Sequence, residues 1–220
     1  MSASRPGLSS QMTLQAAAQI RGLIIDRVLL PGEKILQVEL AEQIGVSRSP
    51  LREALRTLEA EDMVTYEANR GYVVARFDDD DLTQIHGMRS LLEGELLRTV
   101  VRPTADQLVE LERINTNLKV ALDAQDVTEI VELNRSFHFL IFQLSPLKMV
   151  RREVVRLWQL SEAHSAAWWR GVPEVVSRIV TEHEAIIEAL RSYDVDGLVQ
   201  VCEAHRVGGH GHSRMGMFVS

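Results

Sequence analysis

The chain has 220 residues, 45% of them hydrophobic and 25% charged, a composition typical of a globular protein with one large or two small domains. No run of about 18 apolar residues is present and the N-terminus lacks an apolar segment, so we expect neither a membrane-spanning helix nor a secretory signal. The formal net charge is −7, and the single cysteine, Cys202, excludes an intramolecular disulfide and leads us to expect a cytoplasmic protein.

The stretch from Leu36 to Val74 begins with two helical patterns separated by a tight turn. A short helix is predicted from Val38 to Ile44, and it ends at Gly45, a residue type that often follows the last turn of a helix. A second helix is predicted to begin after Ser47, whose hydroxyl can cap it. Pro50 is compatible with this helix because it lies in the first turn, where the backbone N–H is not needed.

The second of these helices has an apolar face and a basic face. Apolar residues recur at helical spacing along one side: Leu51, Ala54, Leu55 and Leu58. Arginines recur every four residues on the other side: Arg48, Arg52 and Arg56. Such a helix can pack on a core with one face and lie along an anionic partner with the other. The alternative is a solvated face on which the arginines pair with Glu53 and Glu59.

Two short β-type segments, residues 64–66 and 72–74, follow the basic helix and predict a hairpin. Its turn lies near Asn69, Arg70 and Gly71, residue types that suit a tight connection between strands. Helix, turn, basic helix and hairpin is the order of elements in a winged helix-turn-helix. That fold places its second helix in the major groove of DNA, so we predict binding to double-stranded DNA.

This region resembles the DNA-binding domain of the GntR transcriptional regulators. The resemblance rests on Pro31-Gly32 after a first helix, on the run LAEQIGVSRSPLREALRTLEAEDMV and on the glycine-tipped wing. It implies DNA contacts from five residues: Ser47, Arg48, Ser49, Arg52 and Gly71. We add Arg56 from the same basic face and Arg70 from the wing turn. Where some members carry an arginine ahead of the leucine-alanine pair of the first motif helix, this chain has Val38.

A run of four aspartates, residues 78–81, marks the predicted boundary between two domains. Residues 1–77 contain nine lysines and arginines against nine aspartates and glutamates, whereas residues 78–220 contain 15 against 22. We therefore predict a winged helix-turn-helix over residues 1–77 and a separate acidic domain over residues 78–220. Since the first domain has no net positive charge, its DNA affinity must come from the local arginine face.

The second domain shows helical patterns and no strand signal. Six helices are predicted, approximately over residues 80–101, 104–124, 127–144, 148–168, 173–192 and 195–212. Aspartates at the start of the first of these helices are favoured by the helix dipole. Long helices with short connections indicate an antiparallel six-helix bundle. The predicted fold class is mainly α, with an N-terminal winged helix-turn-helix and a C-terminal antiparallel six-helix bundle that binds an effector and dimerises.

Three histidines of the second domain each lie on an apolar helix stripe: His138, His183 and His205. One such residue alone is most often a hydrogen-bonded core histidine. Three neutral imidazoles in a common core cost free energy unless their nitrogens find partners. A divalent cation would satisfy all three, because imidazole binds zinc, nickel and, more weakly, manganese. Asn134 lies one turn before His138 on the same face.

The spacing of these residues resembles the FCD ligand-binding domain of FadR-type GntR regulators, and the six-helix count resembles the VanR branch. The resemblance implies that a divalent metal ion is held by four residues: Asn134, His138, His183 and His205. It also implies a small organic acid as effector. The family usually has an aspartate where this chain has Asn134. An amide oxygen can bind a metal but brings no charge, so the site would favour an anionic ligand.

Arg89 occupies an apolar position of the first bundle helix, between Ile85 and Leu92. One interpretation is an internal ion pair with Glu93 or Glu95. The other is a clamp that holds the carboxylate of an effector with both arms of the guanidinium. The family pattern, an arginine followed four residues later by a glutamate, supports a role in the pocket, and we assign Arg89 to effector binding.

Together these patterns predict a homodimeric repressor of transcription on a pseudo-palindromic operator, with affinity modulated by a small carboxylate beside the metal. A metal-dependent hydrolase is one alternative, since three histidines on a metal can activate water. Against it, His183-Glu184 is followed by Ala-Ile-Ile, so the HExxH motif is absent, and no His-Asp dipeptide occurs. The second alternative is a DNA-binding protein without an effector, in which the histidines are only structural.

Overall fold

The acidic run after the hairpin separates two units of the chain, Met1–Asp78 and Asp79–Ser220, and each has its own buried apolar residues. The computed structural model describes the backbone of residues 8–171 and 173–209 and the side chains of residues 11–162 and 178–206. In this part of the chain no helix is long and apolar enough to cross a membrane.

From residue 8 onward, the first unit contains three helices and a two-stranded antiparallel sheet. Its elements are α1 (Leu8–Ile25), α2 (Gln37–Gln43), α3 (Arg48–Ala60), β1 (Val64–Glu67) and β2 (Gly71–Val74). The predicted apolar stripe of α3 is fully buried, and it packs against α1, where Ile20 is equally inaccessible. Burial of one stripe leaves the opposite, basic face of α3 exposed to solvent.

The turn between α2 and α3 forms at Gly45, whose φ of +68° lies in the region that glycine adopts without strain. Ser47 follows as the N-cap residue of α3, with φ −77° and ψ 168°. We expected its hydroxyl to cap the helix, and this expectation is wrong, because the side chain makes no capping hydrogen bond. Ser47 is exposed, so water can satisfy the first N–H groups of the helix and the hydroxyl stays accessible.

The hairpin pairs Val64 with Val74 at its base and Glu67 with Gly71 at its tip. Asn69 and Gly71 have φ values of +67° and +84°, so the turn lies at the predicted position. The segment 32–35, which the sequence patterns did not identify, pairs with the free edge of β2 through the bonds Gly32 N–H to Val74 O and Ile35 N–H to Tyr72 O, each 2.8 Å. These bonds fix the hairpin to the linker between α1 and α2.

The second unit contains six helices in its described residues. They are α4 (Asp79–Arg98), α5 (Ala105–Asp123), α6 (Val127–Phe142), α7 (Lys148–Gly171), α8 (Pro173–Ser192) and α9 (Val195–Gly209). The predicted fold class, mainly α with a winged helix-turn-helix followed by a bundle of six helices, is confirmed. The helix α4 ends before the predicted Val101, because the amide of Val101 instead donates to the carbonyl of Leu144. The predicted end of the last helix, residues 210–212, lies outside the described residues.

The core of this unit lies between α4, α5, α6, α7, α8 and α9, with Phe137 of α6 fully buried in it. Leu96 of α4, Leu111 of α5 and Ile186 of α8 are likewise inaccessible to solvent. The N-terminus of α5 is fixed by a reciprocal pair of hydrogen bonds between Thr104 and Gln107. Polar side chains that point toward this core from α4, α6, α8 and α9 are therefore removed from water and must find partners within the bundle.

Candidate metal centre and nucleic-acid interface

His138 of α6, His183 of α8 and His205 of α9 lie together in the core of the second unit. Each offers one ring nitrogen, and these nitrogens are all within 4.8 Å of one another. The Nε2 atoms of His138 and His205 are 3.0 Å apart. All three side chains are buried. The three helices therefore aim three imidazole nitrogens at one small volume.

His183 provides the test of whether a metal ion fits. Its ring is inaccessible to solvent and stacks on Phe137 with 3.8 Å between the ring centroids. Neither ring nitrogen has a hydrogen-bond partner among the described residues. Buried polar atoms without partners are rare because each costs free energy. Zinc–nitrogen bonds are about 2.0–2.1 Å long, so small rotations of these side chains would bring the three nitrogens onto one ion, and the residue types present fit a metal.

Burial also favours the metal-binding form of these side chains. It lowers the pKa of His138 and His183 well below the usual range, and the neighbouring His205 lowers both further. Both rings are therefore neutral near pH 7, as a metal ligand requires. In contrast, burial raises the pKa of the nearby Cys202 thiol. That thiol stays protonated and does not supply a thiolate ligand.

Asn134 lies one helical turn before His138. Its side chain is buried, and its amide oxygen has no hydrogen-bond partner in the described part of the chain. It lines the same cavity as His138 and His205. Amide oxygens act as ligands of divalent cations, so the oxygen of Asn134 is a fourth available donor.

Arg89 of α4 lines this cavity as well, and Glu93, Ser161 and Trp158 are among the residues that hold it. Its Nε donates to Glu93 Oε1 at 2.8 Å, its Nη1 donates to Ser161 Oγ at 2.9 Å, and its guanidinium lies 4.0 Å over the ring of Trp158. Burial lowers the pKa of Arg89 and the Glu93 carboxylate counteracts this. The ion pair therefore forms with Glu93, while the other considered partner, Glu95, pairs with Arg98. The pairing leaves Arg89 in the lining of the cavity, so its role as an effector clamp stays a prediction.

The cavity contains a second buried arginine that the sequence patterns did not indicate. Arg206 of α9 is 5% exposed and donates from Nη2 to Ser90 Oγ at 2.6 Å and to Glu203. The cavity has a volume of about 30 Å³, room for a few water molecules rather than for an organic acid. A ligand larger than an ion would therefore have to displace side chains around Arg89 or Arg206.

The predicted DNA contacts of the first unit divide into two groups. Ser47, Arg48, Ser49 and Arg52 are exposed at the start of α3. Within the described residues, Arg48 and Arg52 make no hydrogen bond or ion pair. Arg56 and Arg70 are also exposed, but they form ion pairs with Glu53 at 3.0 Å and with Glu67 at 2.6 Å.

The basic face of α3 and the hairpin line one open groove of about 750 Å³. Arg48, Arg52 and Arg56 contribute from the helix, and Tyr66 and Tyr72 contribute from the strands. Glu59, which could have paired with an arginine, instead accepts a hydrogen bond from the hydroxyl of Tyr72 at 3.2 Å. The groove therefore presents two arginines, Arg48 and Arg52, that have no partner among the described residues.

Comparisons with known proteins match a family to each of the two units. Residues 84–207 match the FCD domain family, and residues 12–74 match the family of bacterial regulatory proteins called gntR. The chain is 27% identical over 194 residues to the HTH-type transcriptional regulator YdhC of Bacillus subtilis (strain 168), covering 87% of this chain and 86% of that protein. It is 26% identical over 193 residues to the gluconate operon transcriptional repressor of Bacillus licheniformis, covering 83% and 77%.

A solved structure has the same fold over most of the chain. The structure of Escherichia coli McbR/YncC matches with a TM-score of 0.81 at 23% identity, covering 89% of this chain and 93% of that one. The HTH-type transcriptional regulator McbR of E. coli (strain K12) is 24% identical over 188 residues, which is 84% of this chain and 85% of that protein.

Proposed function

Since the chain belongs to the GntR family of transcriptional regulators and carries an FCD domain, we propose that it is a repressor controlled by a small carboxylate bound beside a divalent metal ion. The named relatives are transcriptional regulators rather than enzymes, so the hydrolase alternative is not retained. One of them is named as a repressor of the gluconate operon. That name supports repression, and gluconate is itself a small organic acid.

Operator recognition is assigned to the start of α3. The guanidiniums of Arg48 and Arg52 are exposed and would leave no partner within the described part of the chain, which supports direct contacts to guanine in the major groove. Ser47 and Ser49 would donate to phosphates. Two copies of the chain related by a two-fold axis would place two such helices on a pseudo-palindrome.

The wing and the end of the basic face have a secondary role in this proposal. Arg56 and Arg70 would first have to leave Glu53 and Glu67, so they contribute phosphate contacts of lower energy. Gly71 at the hairpin tip has a positive φ and no side chain, which suits a close approach to the sugar-phosphate backbone.

The single observation that carries the metal part of the proposal is His183, a fully buried imidazole without a hydrogen-bond partner beside two others. Asn134, His138, His183 and His205 would hold a zinc, nickel or manganese ion. When bound, the ion would supply a Lewis-acidic position for a carboxylate oxygen. Arg89 would hold the same carboxylate in a low-dielectric cavity, where opposite charges attract strongly.

We assign to α4 the coupling of effector binding to the DNA-binding unit. This helix carries Arg89 and begins at Asp79, the first residue of the second unit. An effector too large for the cavity would displace Arg89 and its neighbours, and α4 would move with them. A shift of α4 would change the placement of the two recognition helices in a dimer and thereby couple the two sites.

The effector clamp is tested by replacing Arg89 with lysine. Lysine keeps the charge opposite Glu93 but loses the planar fork, so we expect effector affinity to fall by about tenfold or more. Calorimetric titration with acetate, lactate, succinate, citrate and gluconate measures this on the zinc-loaded protein. Arg98→Lys, on an exposed position of the same helix, is the control. Unchanged affinity in the Arg89 variant would leave Arg89 with only its ion-pair role.

The fourth ligand is tested by Asn134→Asp. A carboxylate at this position adds a negative charge to the metal centre, so we expect zinc to bind more tightly than in the original chain. The same charge should weaken an anionic effector. Zinc titration against a competing chelator, followed by titration with carboxylate, measures both changes. Weaker zinc binding in this variant would remove Asn134 from the ligand set.

A further inference from the structure

A carboxylate outside the predicted ligand set contacts one of the three histidines. Glu182 of α8 places its Oε2 2.7 Å from Nδ1 of His205 on α9. Its other oxygen, Oε1, lies 2.5 Å from Nε of Arg178, one turn earlier on α8. The exposed fraction of the side chain falls from 48% at Arg178 to 23% at Glu182 and 8% at His205. An ion pair and then a hydrogen bond thus connect the three residues, from the surface to the histidine cluster.

The contact fixes which nitrogen of His205 carries the proton. A carboxylate can only accept a hydrogen bond, so Nδ1 of His205 must donate to Glu182. In the neutral ring this leaves a lone pair on Nε2. That atom faces Nε2 of His138 at 3.0 Å, on the side where the cluster converges. Glu182 therefore selects the tautomer in which Nε2 can bind a metal ion.

Glu182 differs from the other described residues around the three histidines in the contact that it makes. In the described part of the chain, neither nitrogen of His183 has a partner, and Glu182 is the one carboxylate that hydrogen-bonds a histidine of the cluster. Its second oxygen is occupied by Arg178, which restricts rotation of the carboxylate. Such a contact orients the imidazole and increases the basicity of the nitrogen on the far side of the ring.

We infer that Glu182, held by Arg178, is a positioning residue of the metal centre that sets the tautomer and orientation of His205. The inference rests on the proposed metal site and adds to it a residue that does not itself bind the ion. Loss of a partner of this kind typically lowers metal affinity by about 10–100-fold. The affinity of the site, and with it the fraction of protein able to respond to an anion, would depend on a residue near the surface.

The test compares Glu182→Gln with the original chain by zinc titration against a chromophoric chelator. We expect the Kd for zinc to rise by about 10–100-fold in the variant. Glu184→Gln is the matched control, because it removes the same charge from an exposed position two residues along α8 and should leave zinc affinity unchanged. Arg178→Met should raise the Kd for zinc by more than Glu184→Gln does and by less than Glu182→Gln does.

Histidine ¹⁵N spectra of the metal-free protein supply a readout that a merely structural role would not change. The original chain should show His205 protonated at Nδ1, and Glu182→Gln should shift it toward a mixture of tautomers. A spectrum with the proton on Nε2 in the original chain overturns the inference even if the variant does not fold. Equal zinc affinity in the original chain, Glu182→Gln and Glu184→Gln also overturns it while leaving the metal site intact. If the original chain binds no zinc, the proposed metal site itself fails and the inference fails with it.

Discussion

Replacement of Arg48 and Arg52 by alanine is expected to abolish the preference of the protein for its operator. Both side chains are exposed on α3 and have no partner in the described part of the chain, so their removal leaves no buried charge behind. A bidentate contact from arginine to guanine discriminates by about 1–3 kcal/mol. Each single variant should therefore bind the operator about 5–150-fold more weakly, and the double variant should bind operator and unrelated DNA alike.

An anisotropy titration with an operator selected from a random duplex pool measures this effect. Arg98→Ala is the control, since it removes the same charge from an exposed, ion-paired site in the second unit. Arg56→Ala should have an intermediate effect, because Arg56 is engaged with Glu53 at 3.0 Å. Unchanged operator affinity in both the Arg48 and the Arg52 variants would show that α3 does not lie in the major groove as proposed.

Replacement of His183 by phenylalanine is expected to abolish the thermal stabilisation that zinc provides. The aromatic ring can keep the stack on Phe137, whereas the two nitrogens without partners disappear. An ion at 100 times its Kd stabilises the folded state by about 2.7 kcal/mol. For a chain of this size each kcal/mol corresponds to about 2–4 °C, so the original chain should melt about 5–10 °C higher with zinc than with chelator.

The His183→Phe variant distinguishes a role of His183 as a metal ligand from a purely structural role in the core. If His183 is a ligand, metal-free His183→Phe should melt at or above the metal-free original chain, because it no longer buries polar atoms without partners. Zinc should then leave its melting temperature unchanged. Differential scanning calorimetry with zinc, nickel, manganese and chelator measures both. A zinc-induced shift that persists in the variant would contradict the proposed ligand set.

The elements that periodicity defines were predicted from the sequence with little error. Leu51, Leu55 and Leu58 recur at helical spacing and are fully buried, and Gly45 and Gly71 lie where positive φ values are needed. These features are local, since burial of a stripe and the freedom of a glycine depend on a few neighbouring residues. The segment 32–35 was missed because its pairing with β2 is made across the chain.

The candidate site was only partly predictable, for a physical reason. His138, His183 and His205 were found because each imidazole interrupts an apolar stripe. Glu182 and Arg206 were not, because each adjoins one of those histidines in the sequence and therefore projects from a different side of its helix. Their contacts depend on the rotations of α8 and α9 against the rest of the bundle, which a single sequence does not specify. The small volume of the cavity likewise follows only from packing.

The ion-pair partner of Arg89 was likewise not fixed by the sequence analysis. Arg89 had two candidate glutamate partners in the sequence, Glu93 four residues later and Glu95 six residues later, and both interpretations of Arg89 remained open. In the fold Glu93 is buried beside Trp158, whose indole N–H donates to Glu93 Oε1 at 2.7 Å, whereas Glu95 faces solvent. The spacing of four residues places Glu93 on the same face of α4 as Arg89, and the hydrogen bond from Trp158 of α7 holds its carboxylate there.

The central claim, that an anion at the metal centre controls DNA binding, is tested most directly by titrating labelled operator in three states of the protein. These are the zinc-loaded original chain, the metal-free original chain and His183→Phe, each with and without the carboxylate that binds best in calorimetry. We expect the carboxylate to weaken operator binding by about 5–150-fold in the zinc-loaded chain. The other two states should bind the operator and ignore the carboxylate. An equal response in all three states, or no response to any carboxylate in the zinc-loaded chain, would contradict the account.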